Sequence, residues 1–362
     1  MKTLLAHEWL APIGGSENVF EELSTLLPDA RSVCLWNDAP IRFGSDIEET
    51  WLARTPLRRS KALAYPLLPY AWNRVDLAEV DRVVVSTHAS SHYLASRAAK
   101  SGIRSFAYVH TPPRYVWAPE FDERGQSLMA RGGRGIFKRR DRSLTSGLIS
   151  FAANSAFVRR RVQAAWDVDA RVIYPPVDVE RIQSVCDWRT EITDVDELRR
   201  LGALPSQFVL GASRLVEYKR LDAAMDIGEA LDLPVVIAGS GPFEGELREM
   251  ASDRRVPVVF LGRVSTPGLY ALYQAATLFA FMAIEDFGIM PVEAMAVGTP
   301  AVVSSIGGAR ESVEAVGGGV VLEPGESVAA TDLQIDAEQI RRKAREFSRA
   351  SFRQSVNSWL TD

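Results

Sequence analysis

Two carboxylates, Glu285 and Glu293, stand eight positions apart in the stretch Glu285-Asp286-Phe287-Gly288-Ile289-Met290-Pro291-Val292-Glu293, with a Phe-Gly turn just after the first. A helix that begins near Gly288 places Glu285 in the loop at its mouth and Glu293 roughly one turn inside, so that both can face one ligand. Free backbone N–H groups and the helix dipole make such a mouth suited to a phosphate, and carboxylates accept hydrogen bonds from sugar hydroxyls. The pairing points to a nucleotide-sugar site; the bland reading is a surface helix with acids in its first turns. Arg214 and Lys219 follow the apolar run FVLGAS. An Arg that grips two oxygens and a Lys that acts as a mobile point charge can together neutralise a diphosphate. His110 heads a polar cluster, His110-Thr111-Pro112-Pro113-Arg114-Tyr115, after the run FAYVH, and Gly14-Gly15-Ser16-Glu17 opens a helix after the first apolar run. The glycines let backbone approach a phosphate closely, although such pairs are more often plain turns.

These residues need a scaffold that gathers strand ends. Apolar runs recur along the whole chain: LLAHEW, SVCLW, VVVSTH, FAYVH, LISFAA and VIYPP, then FVLGAS, VVIAG, VVFLG, LFAFMA, AVVSS and GVVLE. Short continuous apolar runs of this kind read as buried parallel strands. Segments with helical spacing lie between them, among them Glu17–Leu27, Ser91–Lys100, Leu221–Leu231, Gly268–Ala276 and Pro291–Val297, and supply crossover helices. The expectation is an α/β chain of two Rossmann-like, doubly wound parallel-sheet domains facing a central cleft. The first domain spans 1–176, ending at Tyr174-Pro175-Pro176, and the second spans 177–345, with a final helix over 346–362 packing back on the first. In open parallel sheets ligands bind beyond the carboxyl ends of the strands, where almost every motif above falls.

Composition narrows the function classes. With 362 residues, 47% apolar and 24% charged, the chain suits two packed domains, and no run approaches the roughly 20 apolar residues of a spanning helix. The opening MKTLLAHEWLAPIGG becomes charged too soon for a secretory segment, so a cytoplasmic protein is expected. Cys34 and Cys186 lack a CxxC partner or neighbouring His cluster and are expected to be buried thiols. Residues 1–176 carry 24 Lys/Arg against 18 Asp/Glu, and residues 177–362 carry 18 against 28, so the two halves suit different partners. Gly239-Ser240-Gly241-Pro242 with Gly245 resembles a degraded dinucleotide fingerprint, but Pro242 interrupts it and VVFLGRV ends without an acidic ribose ligand, which argues against a dehydrogenase.

GGSE, HTP, SRL with Lys219, AGSGP, FLGRV and EDFGIMPVEAMAVGTPAVVSSIGG occur in this order across most of the chain. The set resembles the retaining glycosyltransferases of family 4, which have the GT-B fold. The resemblance implies that Glu285 meets hydroxyls of the transferred sugar and Glu293 those of the ribose, while Arg214 and Lys219 hold the diphosphate as it leaves. It further places backbone of Phe287, Gly288 and Ile289 against sugar or phosphate and Gly239 in the donor-binding set. Gly14 and Gly15 would close over the phosphate, Val264 would lie near the base, and His110 beside the donor sugar. Front-face substitution with retention, a nucleotide-sugar as donor substrate, and neither metal nor other cofactor are implied. Two Asp-x-Asp triplets, Asp167-Val168-Asp169 and Asp194-Val195-Asp196, are of the type that binds manganese in GT-A enzymes, but neither follows a convincing nucleotide strand, and Asp194 reads better as a helix cap.

HTPPRYVW is similar to the matching stretch of bacterial transferases of O-antigen and exopolysaccharide assembly, many of which use GDP-mannose, so mannosyl transfer is the preferred expectation. UDP-linked donors, a nucleotide-sugar epimerase on the same fold and a non-catalytic binder stay open as alternatives. The basic segment 54–61, the aromatic stretch Ala62 to Trp72 and the basic run Arg131 to Arg142 suit an anionic membrane surface and a glycan or polyprenyl-linked acceptor; nucleic acid is not an expected partner.

Overall fold

A computed structural model describes residues 1–118, 128–333 and 335–362. The chain forms two compact units, one of Met1–Pro176 with Phe352–Asp362 and the other of Val177–Ser351. The chain passes back into the first unit at Phe352; before it, Phe347 lies against Phe287 at a tilt (5.7 Å between rings) and Ser348 bridges to Val177, all within the second unit. Only from Phe352 onward do apolar side chains, with Val356, Trp359 and Leu360, enter the core of the first unit.

The first unit is a seven-stranded parallel sheet in the order β3-β2-β1-β4-β5-β6-β7. Its strands are β1 Thr3–Leu10, β2 Arg31–Asn37, β3 Glu48–Glu49, β4 Arg82–Thr87, β5 Arg104–Val109, β6 Ser150–Ala153 and β7 Arg171–Val172. The apolar runs form these strands because both sheet faces are covered, so strict alternation is unnecessary. β1 is buried at all eight positions. Only β3, two acidic residues paired to Val33 and Cys34, carries no apolar signal.

The second unit is a six-stranded parallel sheet in the order β10-β9-β8-β11-β12-β13, comprising Val209–Ala212 (β8), Val235–Ala238 (β9), Val258–Gly262 (β10), Leu278–Phe281 (β11), Ala301–Ser304 (β12) and Gly319–Leu322 (β13). In each unit the strand order reverses at one place, between β1 and β4 and between β8 and β11, and the connections leaving those strands diverge to opposite faces. This is where open sheets bind ligands.

Two expectations are corrected. Cys34 is buried but Cys186 is exposed, since it follows the short helix Val179–Ser184 in a surface turn rather than lying in a strand. Most of the aromatic stretch is core: Tyr65, Leu68, Ala71 and Trp72 are buried, and the Trp72 indole donates to Ser90 Oγ at 3.0 Å. Leu63 (68% exposed) and Tyr70 (57%) are its large side chains that reach solvent. In the basic run, Arg131 and Arg134 lie outside the described side chains. Asp141, within that run, is buried and accepts from His92 Nε2 (3.1 Å), Tyr93 Oη (2.7 Å), Trp117 Nε1 (2.6 Å) and Trp166 Nε1 (2.7 Å). The run is therefore a helix, Leu128–Leu144, anchored by its one acid.

Candidate functional site

In the second unit the candidate residues collect at the carboxyl ends of adjacent strands. Arg214 and Lys219 follow β8, Gly239 follows β9, Val264 follows β10, and Glu285, Phe287, Gly288 and Ile289 follow β11. Lys219 Nζ donates to Glu285 Oε1, joining the loops of the two strands on either side of the reversal. Both side chains are largely buried, at 14% and 19% exposure, so this contact is screened far less than a surface pair. Lys219 also lies 5.3 Å from the ring of Tyr218, whose hydroxyl accepts from the exposed Arg214 guanidinium at 2.6 Å. Arg214, Tyr218, Lys219 and Glu285 thus form one connected polar set.

The loop holding Glu285 is pinned by backbone. Gly308 N donates to Glu285 O at 2.8 Å, and a Cβ at Gly308 would collide with the Asp286 carbonyl. Gly288 caps the helix Ile289–Ala296 with φ +88° and without any side-chain cap, and a Cβ there would press on Ala309. Only glycine meets both demands at low cost. The helix therefore starts four residues after Glu285 with no side-chain cap on its first backbone donors.

Glu293 takes a different partner from Glu285. Tyr270 Oη donates to Glu293 Oε1 at 3.3 Å, tying the helix to its neighbour Thr266–Ala275. Burial raises the Glu293 carboxyl to about 7, against the opposing pull of the Tyr270 and Tyr273 hydroxyls. Both Asp-x-Asp triplets serve local structure. Asp167 ends the helix Ala156–Trp166 in the left-handed region and Asp169 pairs with Arg159 at 2.7 Å. Asp194 caps the helix Val195–Gly202, accepting from Asp196 N and Glu197 N, while Asp196 pairs with Arg199.

In the first unit, Gly14 and Gly15 open the helix Gly15–Leu26 after β1, and Glu17 turns back to accept from Ala11 N (3.3 Å) and Ser16 Oγ (2.7 Å). His110, just past β5, is 8% exposed and its Nε2 lies 2.8 Å from Ser86 Oγ. Burial, then the proximity of His88 and His7, holds its imidazole well below the ordinary range, so it is neutral at pH 7. Gly14, Gly15 and His110 belong to this unit, and the remaining candidates to the other.

Sequence reasoning missed the residues around His110. Of the four histidines of the chain, His88, His92 and His110 follow the carboxyl ends of β4 and β5, and His7, within β1, packs on His88 and His110 with ring separations of 5.4 and 6.3 Å. Glu8 is fully buried and one oxygen, Oε1, accepts from Ala89 N (3.1 Å), Ser90 N (2.8 Å), Ser91 N (2.8 Å), Ser91 Oγ (3.0 Å) and Thr87 Oγ1 (2.8 Å). Burial alone would raise this carboxyl, but His88 and these donors hold it well below the carboxylate range. The signal was present as an acid inside an otherwise apolar strand, LLAHEWL, and a hydroxyl-rich turn, STHASS, after β4.

Comparison with known proteins agrees with this geometry. Residues 199–354 match the family described as glycosyl transferases group 1, and residues 13–181 match glycosyltransferase family 4. The fold is GT-B: the structure of HepE from Anabaena in complex with UDP superposes with a TM-score of 0.72 at 20% identity, covering 100% of both chains. The lipopolysaccharide outer core galactosyltransferase WaaB gives 0.68 at 16% identity, covering 100% of this chain and 99% of that one. Among curated relatives, a GDP-mannose-dependent alpha-(1-6)-phosphatidylinositol monomannoside mannosyltransferase of Mycobacterium tuberculosis is 33% identical over 207 residues, 51% of this chain and 52% of its own. O-antigen chain mannosyltransferase C of Escherichia coli is 32% identical over 129 residues, 35% of this chain and 34% of its own. The chain spans about half the length of the curated relatives it matches most extensively. It belongs to family 4 of the glycosyltransferases.

Proposed function

We propose that this chain is a retaining, metal-independent mannosyltransferase that moves mannose from GDP-mannose to a glycan or polyprenyl-linked acceptor in cell-surface polysaccharide synthesis, on the cytoplasmic side of the membrane. The observation that carries this reading is the Lys219–Glu285 contact beside Arg214 and an uncapped helix N-terminus. Each group has a use when a sugar diphosphate enters. The diphosphate draws Lys219 away from Glu285, and the carboxylate then accepts hydrogen bonds from the sugar hydroxyls. Arg214, Lys219 and the backbone donors at Ile289 then meet the charge that grows as the sugar–phosphate bond breaks. Fixed donors aimed at developing charge are worth about 10²–10³ in rate apiece, so cations supplied by the chain remove the need for a metal at the diphosphate. Glu293 takes the ribose hydroxyls, Val264 and Gly239 border the nucleoside, and His110 with Gly14 and Gly15 lies on the acceptor-bearing unit.

The names of the relatives favour GDP-mannose, whereas Anabaena HepE holds UDP and UDP-glucose and supports a UDP-linked donor as the second reading. Thermal unfolding with GDP-mannose, UDP-glucose and ADP-glucose, without added divalent cation, separates the two. A ligand that binds only the native chain adds about 2.7 kcal/mol of stability at a hundredfold excess over Kd. Stabilisation by GDP-mannose is expected, and stabilisation by UDP-glucose alone would transfer the assignment to the second reading. Membrane attachment is part of the proposal, supported by the exposed Leu63, Tyr70 and Ile136 beside Arg59, Lys61 and Arg139. Among the described residues no helix is long and apolar enough to cross a membrane. Co-sedimentation with anionic vesicles at low salt is expected, and its absence would remove that part of the proposal.

A further inference from the structure

His7, Glu8 and His88 lie together where β1 and β4 end, and each offers one ligand atom within 4.8 Å of the others. His7 and Glu8 are consecutive in β1 and leave it on opposite faces, yet His88, the first residue past β4, meets both. Its ring centroid is 5.4 Å from that of His7, and its Nδ1 is 3.1 Å from Glu8 Oε2. Three details distinguish this cluster from an ordinary buried polar network.

First, His7 is fully buried, and its Nδ1 lies 3.0 Å from the backbone carbonyl of Ser86. Nδ1 also lies 3.0 Å from Ser86 Oγ, a group that can donate or accept, and the tautomer that satisfies the carbonyl carries its proton on Nδ1 and leaves the lone pair on Nε2. That Nε2 has no hydrogen-bond partner among the described residues. An orphaned buried nitrogen of this kind costs about 1–3 kcal/mol unless something binds it, and a ring whose other nitrogen donates to a carbonyl is the arrangement metal-bound histidines adopt. Second, His88 Nδ1 is also buried and without an aligned hydrogen bond, although Glu8 Oε2 is only 3.1 Å away. Two donors that are close but misaligned for each other are placed as two ligands of a third atom are: with metal–donor distances of about 2.0–2.2 Å, tetrahedral neighbours stand roughly 3.3 Å apart. Third, the other oxygen of Glu8 is fixed by the backbone and hydroxyl donors of residues 87–91, so Oε2 is held in place, and Ser86 Oγ, 3.0 Å from His7 Nδ1 and 2.8 Å from His110 Nε2, orients the surrounding rings.

We propose that His7, Glu8 and His88 form a zinc-class metal site in the first unit, with two imidazole nitrogens and one carboxylate oxygen as ligands and a fourth position for one oxygen ligand. Zinc favours this donor set, and sites with three protein ligands keep the fourth position for water or a ligand oxygen. The ligand atoms, within 4.8 Å of one another, close to roughly 3.3 Å apart around a bound ion. The site belongs to the first unit and Arg214 and Lys219 to the second, and it neither depends on the donor assigned above nor changes the metal-independent transfer proposed there.

The test is elemental analysis and cobalt uptake by the tag-free chain. One equivalent of zinc is expected in protein purified without chelator, and the stripped chain should bind one equivalent of Co²⁺ with visible ligand-field absorption. His88→Ala, at a partly exposed position, should abolish both while the circular dichroism of the fold persists. Ser86→Ala, which touches no metal but orients His7, should weaken cobalt binding about tenfold, at the low end of the outer-shell range because the Ser86 backbone carbonyl remains. A folded wild-type chain that takes up no cobalt, or a His88→Ala chain that retains a full equivalent, overturns the site.

Discussion

The two units share one strand order, but they treat the helix after the fourth strand of that order in opposite ways. In the first unit that helix, His92–Lys100 after β4, has the donors of its entry turn taken by the chain itself: Glu8 reaches across from β1 and fills the place with a carboxylate. In the second unit the corresponding helix, Ile289–Ala296 after β11, begins at a glycine and has no side-chain cap. The lysine that crosses from the β8 loop brings a positive charge beside it and engages Glu285. One topology thus yields a helix entry filled by a carboxylate of the chain itself and a helix entry without a side-chain cap, the one to which the proposal assigns the diphosphate. The difference lies in one residue type on the first strand, an acid in β1 where β8 has none.

Removing Glu8 empties the filled entry and should have the largest effect. Glu8→Ala strips a buried carboxylate from several donors and from His88, and breaking a buried pair of this kind costs about 3–5 kcal/mol. Seven of the eight tryptophans lie in the first unit, so urea unfolding followed by tryptophan fluorescence reports on it. A midpoint equal to wild type would mean that Glu8 does not fill the site in solution.

The ligand side of the comparison is sharpened by Glu293. Its folded pKa of about 7 lies above the unfolded value, so the folded chain binds the proton more tightly. Stability contributed by this group is therefore full below about 4.5 and is lost as pH rises through about 7, by on the order of 3–4 kcal/mol in all at about 1.4 kcal/mol per tenfold change in proton affinity. Glu293→Gln should be more stable than wild type at pH 8, with the difference vanishing near pH 4. Equal thermal midpoints at both pH values would contradict the buried, protonated carboxyl. The smallest effect belongs to an ordinary cap: Asp194→Ala, which removes an exposed cap from two backbone donors, should cost about 1 kcal/mol. A loss as large as that of Glu8→Ala would erase the distinction between a local cap and a buried one.

The fold was legible because parallel strands covered on both faces need continuous apolar runs, and twelve such runs correspond to twelve of the thirteen strands among the described residues. β3 was invisible because two acidic residues held by backbone pairing leave no pattern. The Glu285–Gly288 turn was legible because glycine and acid residues at a helix start have local meanings. The partnership of Lys219 with Glu285 spans 66 positions and that of Glu8 with the turn at 88–91 spans about 80, so neither has a local signature. The stretch from Ala62 to Trp72 misled because apolar residues broken by prolines read alike whether they face lipid or core.

The central claim is that the open helix mouth of the second unit, with Arg214 and Lys219, holds a nucleotide diphosphate. Calorimetric titration of GDP into wild type and into the Arg214→Ala, Lys219→Ala double variant tests it most directly. The account predicts one site on wild type and at least a hundredfold weaker binding by a double variant whose unfolding temperature is unchanged, since each charge-assisted contact is worth about 1.5–3 kcal/mol. Wild-type affinity in the folded double variant would contradict it.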